Sequence, residues 1–213
     1  MKGDIYHDQV LVLWASRLVD RPVRWTAERS ESLMSDTHAR DNIVTAELAL
    51  DTNGKFLAFR VDTLANLGAY LGSNTPHSPT NNLGGLAGVY TTPAIYTAVR
   101  AVFSNTGWTA PYRGAGRPEA SLAIEKAIDA AAREMGIDRV DIRRRNLIPA
   151  DAMPYKTGLI FEYDSGEFET VLDKALTLAG YDGFEARRAE ARTRGVYRGI
   201  GIGFAIEQSA APL

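Results

Sequence analysis

The 213-residue sequence contains no cysteine and only three histidines. Without a thiol, neither a disulfide nor a thiolate-ligated iron–sulfur cluster can form inside this chain. Any such cluster would belong to a partner. No apolar run approaches the roughly 20 residues that a membrane-spanning helix needs, and the N-terminus lacks the charged-then-apolar layout of a secretory signal. A cytoplasmic location is the expectation. Charge of one sign is also missing: 24 Lys and Arg stand against 26 Asp and Glu, a formal charge of −2. That balance leaves no electrostatic footprint for nucleic acid or an anionic membrane surface. No internal repeat or low-complexity tract is present. What remains is 45% hydrophobic and 23% charged, the composition of an ordinary globular protein, at a length for one or two domains that bury roughly 70% of their unfolded surface.

The pattern of residues predicts an α+β fold with mixed sheets and packed helices. Residues 5–19 place Val10, Leu11, Trp14 and Leu18 at helical spacing. Arg21-Pro22 then stops the helix, and residues 23–26 read as a short buried strand. Residues 43–50 and 56–64 alternate as two strands of a hairpin, with Asn53-Gly54 supplying positive φ angles for the turn. Between these elements Glu28, Glu31, Asp36, His38, Arg40 and Asp41 match no metal-ligand spacing, and the segment 28–42 reads as a solvated loop. His7 and His77 also lack a partner at ligand or triad spacing. Residues 68–93, rich in Gly, Asn, Ser, Thr and Pro, read as a long irregular loop, either functional or packed on its own side chains. Residues 97–105 read as a strand and 118–135 as an amphipathic helix with Ile124, Ala127, Ile128, Ala131 and Met135 on one stripe. Gly136 ends it, and Asp138 caps a second helix to Asn146 whose Arg143, Arg144 and Arg145 read as a solvated or intersubunit face. Helices capped by Ser165 and spanning 184–194 follow, and residues 200–207 read as a strand.

Chemistry concentrates in Ala110-Pro111-Tyr112-Arg113-Gly114-Ala115-Gly116-Arg117-Pro118-Glu119-Ala120. Arg113 and Arg117 flank an almost side-chain-free Gly-Ala-Gly core, and Pro118 opens a helix. Glycines let main-chain N–H groups approach a ligand, a helix N-terminus adds partial positive charge, and arginine offers a planar fork of donors. The segment is a candidate backbone cradle for an anionic group; a plain strand-to-helix turn is the alternative. A dinucleotide fingerprint requires a third glycine where this chain has Glu119, which weakens that reading.

The loop Tyr112-Arg113-Gly114-Ala115-Gly116-Arg117 resembles the active-site loop of the molybdenum-binding large subunit of the xanthine dehydrogenase, aldehyde oxidase and aerobic carbon monoxide dehydrogenase family. Arg143-Arg144-Arg145-Asn146-Leu147 and Tyr163-Asp164-Ser165-Gly166-Glu167-Phe168 resemble further stretches of that family, in the same order. The resemblance implies a piece of a molybdopterin-binding large subunit, incomplete at both ends. Residues 1–149 would be the C-terminal part of a first cofactor-binding domain and residues 150–213 the start of a second. In the family a Gly-Gly-Gly-Phe-Gly segment precedes the pair matched by Met1-Lys2, so Met1 reads as an internal methionine. Gly3 stands where xanthine-oxidising relatives carry a glutamate.

The activity implied is hydroxylation of an aldehyde or N-heterocycle with oxygen from water. The cofactor implied is molybdenum in a molybdopterin dinucleotide, of the cytosine form. Electrons would leave through iron–sulfur clusters in a small partner subunit to FAD in a medium one, within a dimer of heterotrimers. The family's general base lies beyond residue 213, so no catalytic acid or base and no side-chain metal ligand is assigned here. Tyr112, Arg113, Gly114, Ala115, Gly116 and Arg117 are the candidate site. The 213 residues alone are expected to be inactive. Two other classes stand beside this one: a non-catalytic subunit-interaction module, and a carbon monoxide dehydrogenase-like large subunit.

Overall fold

The structure, a computed structural model, describes residues 5–81 and 83–207. The readings placed on Met1, Lys2, Gly3 and residues 208–213 lie outside these described residues. The elements in chain order are α1 (His7–Val19), α2 (Arg29–Ser35), β1 (Asn42–Leu50), β2 (Phe56–Asn66), α3 (His77–Asn81), β3 (Ala94–Val102), α4 (Arg117–Met135), α5 (Arg139–Arg144), β4 (Tyr155–Lys156), β5 (Glu162–Tyr163), α6 (Phe168–Ala179) and α7 (Phe184–Thr193). β1, β2 and β3 form one sheet in that order, and β4 pairs antiparallel with β5 in another. The fold is therefore α+β, as the patterning predicts.

The chain divides into two compact units that alternate along the sequence. The first comprises Met1–Thr45, Asp62–Asn82 and Thr97–Glu119. Here Asn66 ties neighbouring segments together: its amide nitrogen donates to Asp41 Oδ2 (2.7 Å) and Thr106 Oγ1 (3.0 Å), while its Oδ1 accepts from the Gly68 N–H (2.9 Å) and the Ser104 hydroxyl (2.8 Å). Gly68, at φ +77, comes so close to Gly107 that an added Cβ would sit 2.3 Å from the Gly107 carbonyl oxygen. Only glycine fits that crossing. α1 forms at the predicted place, but none of its residues is buried within the described chain. Residues 23–26 correct the sequence reading. They form no strand, and Trp25 is exposed, because no strand among the described residues pairs with them. The segment 28–42 is corrected too: α2 forms within it, with the Glu31 carboxylate accepting the Glu28 N–H at 2.8 Å, a local bond that steadies a short polar helix.

The second unit comprises Ala46–Val61, Leu83–Tyr96 and Ala120–Leu213. Its core joins Phe56, Phe59 and Val61 of β2, Leu86, Val89 and Tyr90, and Ile124, Ile128, Ala131 and Ala132 of α4. Each fully buried Ile contributes about 1.5–3 kcal/mol relative to exposure, so the predicted stripe of α4 is the main adhesive face. The 51–55 turn departs in detail from the expected Asn-Gly hairpin. Only Gly54 is left-handed (φ +80), and the Asp51 carboxylate instead accepts the N–H groups of Asn53 (2.8 Å) and Lys55 (2.9 Å). This is an Asx-type turn.

Four further expectations are corrected here. Residues 68–93 are not wholly irregular: α3 and a 3₁₀ turn at Gly84–Ala87 form, the latter buried throughout. Arg143 is not solvated. It is wholly buried, with Nε donating to Glu125 Oε2 (2.9 Å), Nη2 2.9 Å from Asp129 Oδ1 and Nη1 donating to the Arg139 carbonyl (2.9 Å). Arg144 pairs with Glu169 and Asp173, and Arg145 donates to the Asn53 carbonyl. Residues 200–207 alternate in burial but join no sheet among the described residues. The carbonyls of Ile200 and Ile202 accept from Arg139 and Arg143 rather than from a neighbouring strand. Asp138 does cap α5, accepting the Val140 N–H at 2.7 Å, whereas α6 starts after Glu167 and Ser165 bonds its neighbour Asp164.

Candidate functional site

The loop singled out by its composition folds within the first unit as a tight turn ahead of α4. Gly114, Ala115 and Gly116 are all left-handed, at φ +88, +43 and +98. Two glycines adopt this without penalty; Ala115 does so at about 1–2 kcal/mol. The turn closes on itself, with the Ala115 N–H donating to the Tyr112 carbonyl (2.7 Å) and the Arg117 N–H to the Gly114 carbonyl (2.9 Å). A Cβ added at Gly114 would meet Pro118 Cδ at 2.7 Å. The Pro118 ring therefore occupies the space that a side chain at Gly114 would need.

All six candidate residues come together here. Tyr112 and Arg113 are exposed, Gly114 and Ala115 half-buried, and Gly116 buried. Arg117 begins α4, with Nη1 3.5 Å from the Gly114 carbonyl oxygen. Reading the sequence missed two residues that hold the turn. Asn81, at the end of α3, donates to the Ala115 carbonyl at 3.3 Å. Arg40 donates through Nη2 to the Arg113 carbonyl, and its guanidinium lies 5.2 Å from the centre of the Tyr112 ring, a cation–π distance. Neither carries a local signal, because each is more than 30 positions from its partner.

The approach to the turn is also built by the backbone. His38 and Thr109 form a parallel bridge, with the His38 N–H donating to the Trp108 carbonyl (2.9 Å) and the Ala110 N–H to the His38 carbonyl (2.8 Å). A cleft of about 540 Å³ lies in the same unit, lined by His7, Met34, Tyr70 and Trp108 among others. His7 stacks on Trp108 with ring centres 6.4 Å apart. Among the described residues no group of three or more His, Asp or Glu side chains is placed to hold a metal ion, so what this site offers a ligand is main chain and arginine.

An α+β unit carrying a glycine-cored, arginine-flanked turn at a helix start is the class that fold and site define. Residues 1–147 match the molybdopterin cofactor-binding domain, and the chain belongs to that family. It is 31% identical over its whole length to the 6-hydroxypseudooxynicotine dehydrogenase complex subunit gamma of Paenarthrobacter nicotinovorans, covering 28% of that protein. It is 36% identical over 97% of its length to the carbon monoxide dehydrogenase large chain of Afipia carboxidovorans, covering 27% of it. Quinoline 2-oxidoreductase from Pseudomonas putida 86 superposes with a TM-score of 0.78 at 32% identity, over 88% of this chain and 24% of that one. The chain thus spans about a quarter of the length of the relatives it matches. No helix among the described residues is long and apolar enough to cross a membrane.

Proposed function

We propose that the chain forms the molybdenum-facing part of a large subunit that hydroxylates an aldehyde or N-heterocyclic substrate. The observation that carries this reading is the turn at residues 112–117. Three successive left-handed residues, two of them glycine, keep the centre of the turn almost free of side chains between Arg113 and Arg117. Such a stretch, flanked by two guanidinium groups at a helix start, fits a bulky anionic group. Tyr112, Arg113, Gly114, Ala115, Gly116 and Arg117 would face the molybdopterin cofactor, proposed as the cytosine dinucleotide. When bound, that group supplies the two-electron redox chemistry of hydroxylation with oxygen from water. The chain's own part is to orient and enclose it: Gly114 and Gly116 let the backbone approach, Ala115 sets the free volume beside it, and Asn81 anchors the Ala115 carbonyl. The general base is proposed to lie outside these 213 residues.

Substrate choice rests on Gly114. Copper-dependent members of the resembled family place a cysteine at this loop position, since a soft thiolate retains Cu(I). Here the residue is glycine at φ +88, and a Cβ would lie 2.7 Å from Pro118 Cδ, so this turn does not accommodate that side chain. An organic substrate is favoured over carbon monoxide. The relatives' names include a quinoline 2-oxidoreductase as well as a carbon monoxide dehydrogenase, so the Gly114 argument carries this choice. Partners are proposed to be an iron–sulfur small subunit and an FAD-binding medium subunit in a dimer of heterotrimers in the cytoplasm. A boundary between two cofactor-binding domains near residue 149 is proposed because the family match stops at residue 147.

The test is purification of the complex that contains this chain, with molybdenum and pterin dinucleotide analysis, followed by turnover of an aldehyde, a quinoline-type heterocycle and carbon monoxide. Oxidation of the organic substrates with stoichiometric molybdenum is expected. Turnover of carbon monoxide, with copper beside molybdenum, would overturn the assignment.

A further inference from the structure

Arg40 lies far from the turn in sequence, yet three separate contacts of its side chain fall on it. Nη2 donates to the Arg113 carbonyl, the guanidinium covers the Tyr112 ring at 5.2 Å, and Nε stands 3.4 Å from Glu119 Oε1. These contacts span both ends of the turn. The backbone at Arg40 is left-handed, φ +56, a conformation unfavourable to a residue with a Cβ and sustained only where surrounding structure imposes it. That structure is visible on both sides. His38 is locked to Trp108 and Ala110 by two main-chain bonds, and the Asp41 carbonyl accepts the Asn66 N–H at 2.9 Å.

Glu119 is the acidic partner of this arginine. Its side chain is 10% exposed, and among the described residues neither carboxylate oxygen accepts a hydrogen bond. A carboxylate so placed is costly without a compensating charge. Arg40 provides that charge, and the planar fork lets one group face a carbonyl, a ring and a carboxylate together, which an ammonium does not do.

We propose that Arg40 is a positioning residue. It braces the turn between Tyr112 and Glu119 in its open-backbone form and neutralises Glu119 at the start of α4. The proposal rests on the reading of this turn as the cofactor-facing loop only for its consequence in turnover; the brace itself is a property of this chain.

The experiment compares Arg40→Gln, Arg40→Lys and Arg40→Gln/Glu119→Gln with wild type in the assembled complex. Hydrogen exchange is read at the Ala115 and Arg117 amides. Tryptic cleavage is read after Arg113, since the bond after Arg117 precedes proline. Molybdenum content, kcat and KM are measured alongside. Arg40→Gln is expected to raise exchange at both amides about tenfold, as local opening becomes cheaper, to speed cleavage after Arg113, and to lower kcat with KM little changed. Arg40→Lys should fall between the two, and adding Glu119→Gln should recover part of the loss because the buried carboxylate is gone. If Arg40→Gln does not accumulate as folded protein, Arg40→Lys carries the same comparison. Wild-type exchange and cleavage in the Arg40 variants would overturn the brace. Absence of molybdopterin from the wild-type complex would overturn the functional reading instead, with exchange still deciding the role of Arg40.

Discussion

The guanidinium of Arg143 lies 2.8 Å from the Glu125 carboxylate, with no part of the arginine exposed. Tyr90 completes the arrangement by donating its hydroxyl to the other Glu125 oxygen at 2.7 Å. Removing one member of a buried pair leaves the other charge unpaired, a loss of about 3–5 kcal/mol. Arg143→Met should therefore lower the denaturant midpoint sharply, because both Glu125 and Asp129 lose their cation. Tyr90→Phe removes one hydrogen bond and should cost only about 1–2 kcal/mol. Chemical denaturation of the three proteins checks both the order and the gap.

Strain at the turn gives a prediction of opposite sign. Ala115 holds φ +43 against its own Cβ, so Ala115→Gly relieves about 1 kcal/mol in the folded state. Extra freedom in the unfolded chain offsets part of this gain. Gly114→Val meets both the left-handed φ and the Pro118 ring, and should lose the turn. Thermal unfolding should show Ala115→Gly at or slightly above wild type and Gly114→Val well below.

Alkaline pH should find the buried tyrosines. Burial, with Tyr155 adding to it, pushes the Tyr163 phenol from its ordinary value of 10 up to about 12, and its hydroxyl donates to the Gly88 carbonyl at 2.7 Å. Burial and the Glu125 carboxylate raise the Tyr90 phenol as well. Between pH 10 and 12 the unfolded chain binds fewer protons than the folded one, so stability from Tyr163 is intact below pH 10 and declines as pH rises through 12. Ultraviolet titration should show Tyr163 ionising in a late wave coincident with loss of circular dichroism. One smooth wave at pH 10 would contradict the burial of Tyr163.

On the proposed function, the free space beside Ala115 would set selectivity. By resemblance, purine-oxidising relatives carry phenylalanine where Ala115 stands, so Ala115→Phe should narrow the site and shift preference toward small or planar substrates. The ratio of kcat/KM for a small and a bulky aldehyde should change by about tenfold, the scale of a few methylenes in a pocket. An unchanged ratio would place Ala115 away from substrate.

Elements governed by neighbours in sequence were legible. The stripe from Ile124 to Met135 placed α4, the Asp138 carboxylate placed the start of α5, and alternation placed β1 and β2. The candidate turn was legible for the same reason, since its left-handed residues are largely glycine. Arg143 was not, because its burial depends on Glu125, 18 positions away, and Asp129. Arg40 was not, because its carbonyl partner is 73 positions distant. Residues 200–207 show why alternation alone misleads: it reports which face is buried, whereas a strand also needs a ladder partner, and arginine side chains take two of these carbonyls.

The carboxamide of Asn146 is bonded to the Phe56 N–H (2.9 Å), the Gly54 carbonyl (2.8 Å) and the Ile142 carbonyl (2.8 Å). One side chain thereby closes a turn made 90 positions earlier. During synthesis the 51–56 turn emerges from the ribosome long before its fastener. At about 5–20 residues per second the wait is roughly 5–20 s. For that interval the Phe56 N–H and the Gly54 carbonyl are left to water, and the turn is fastened only once residue 146 has emerged.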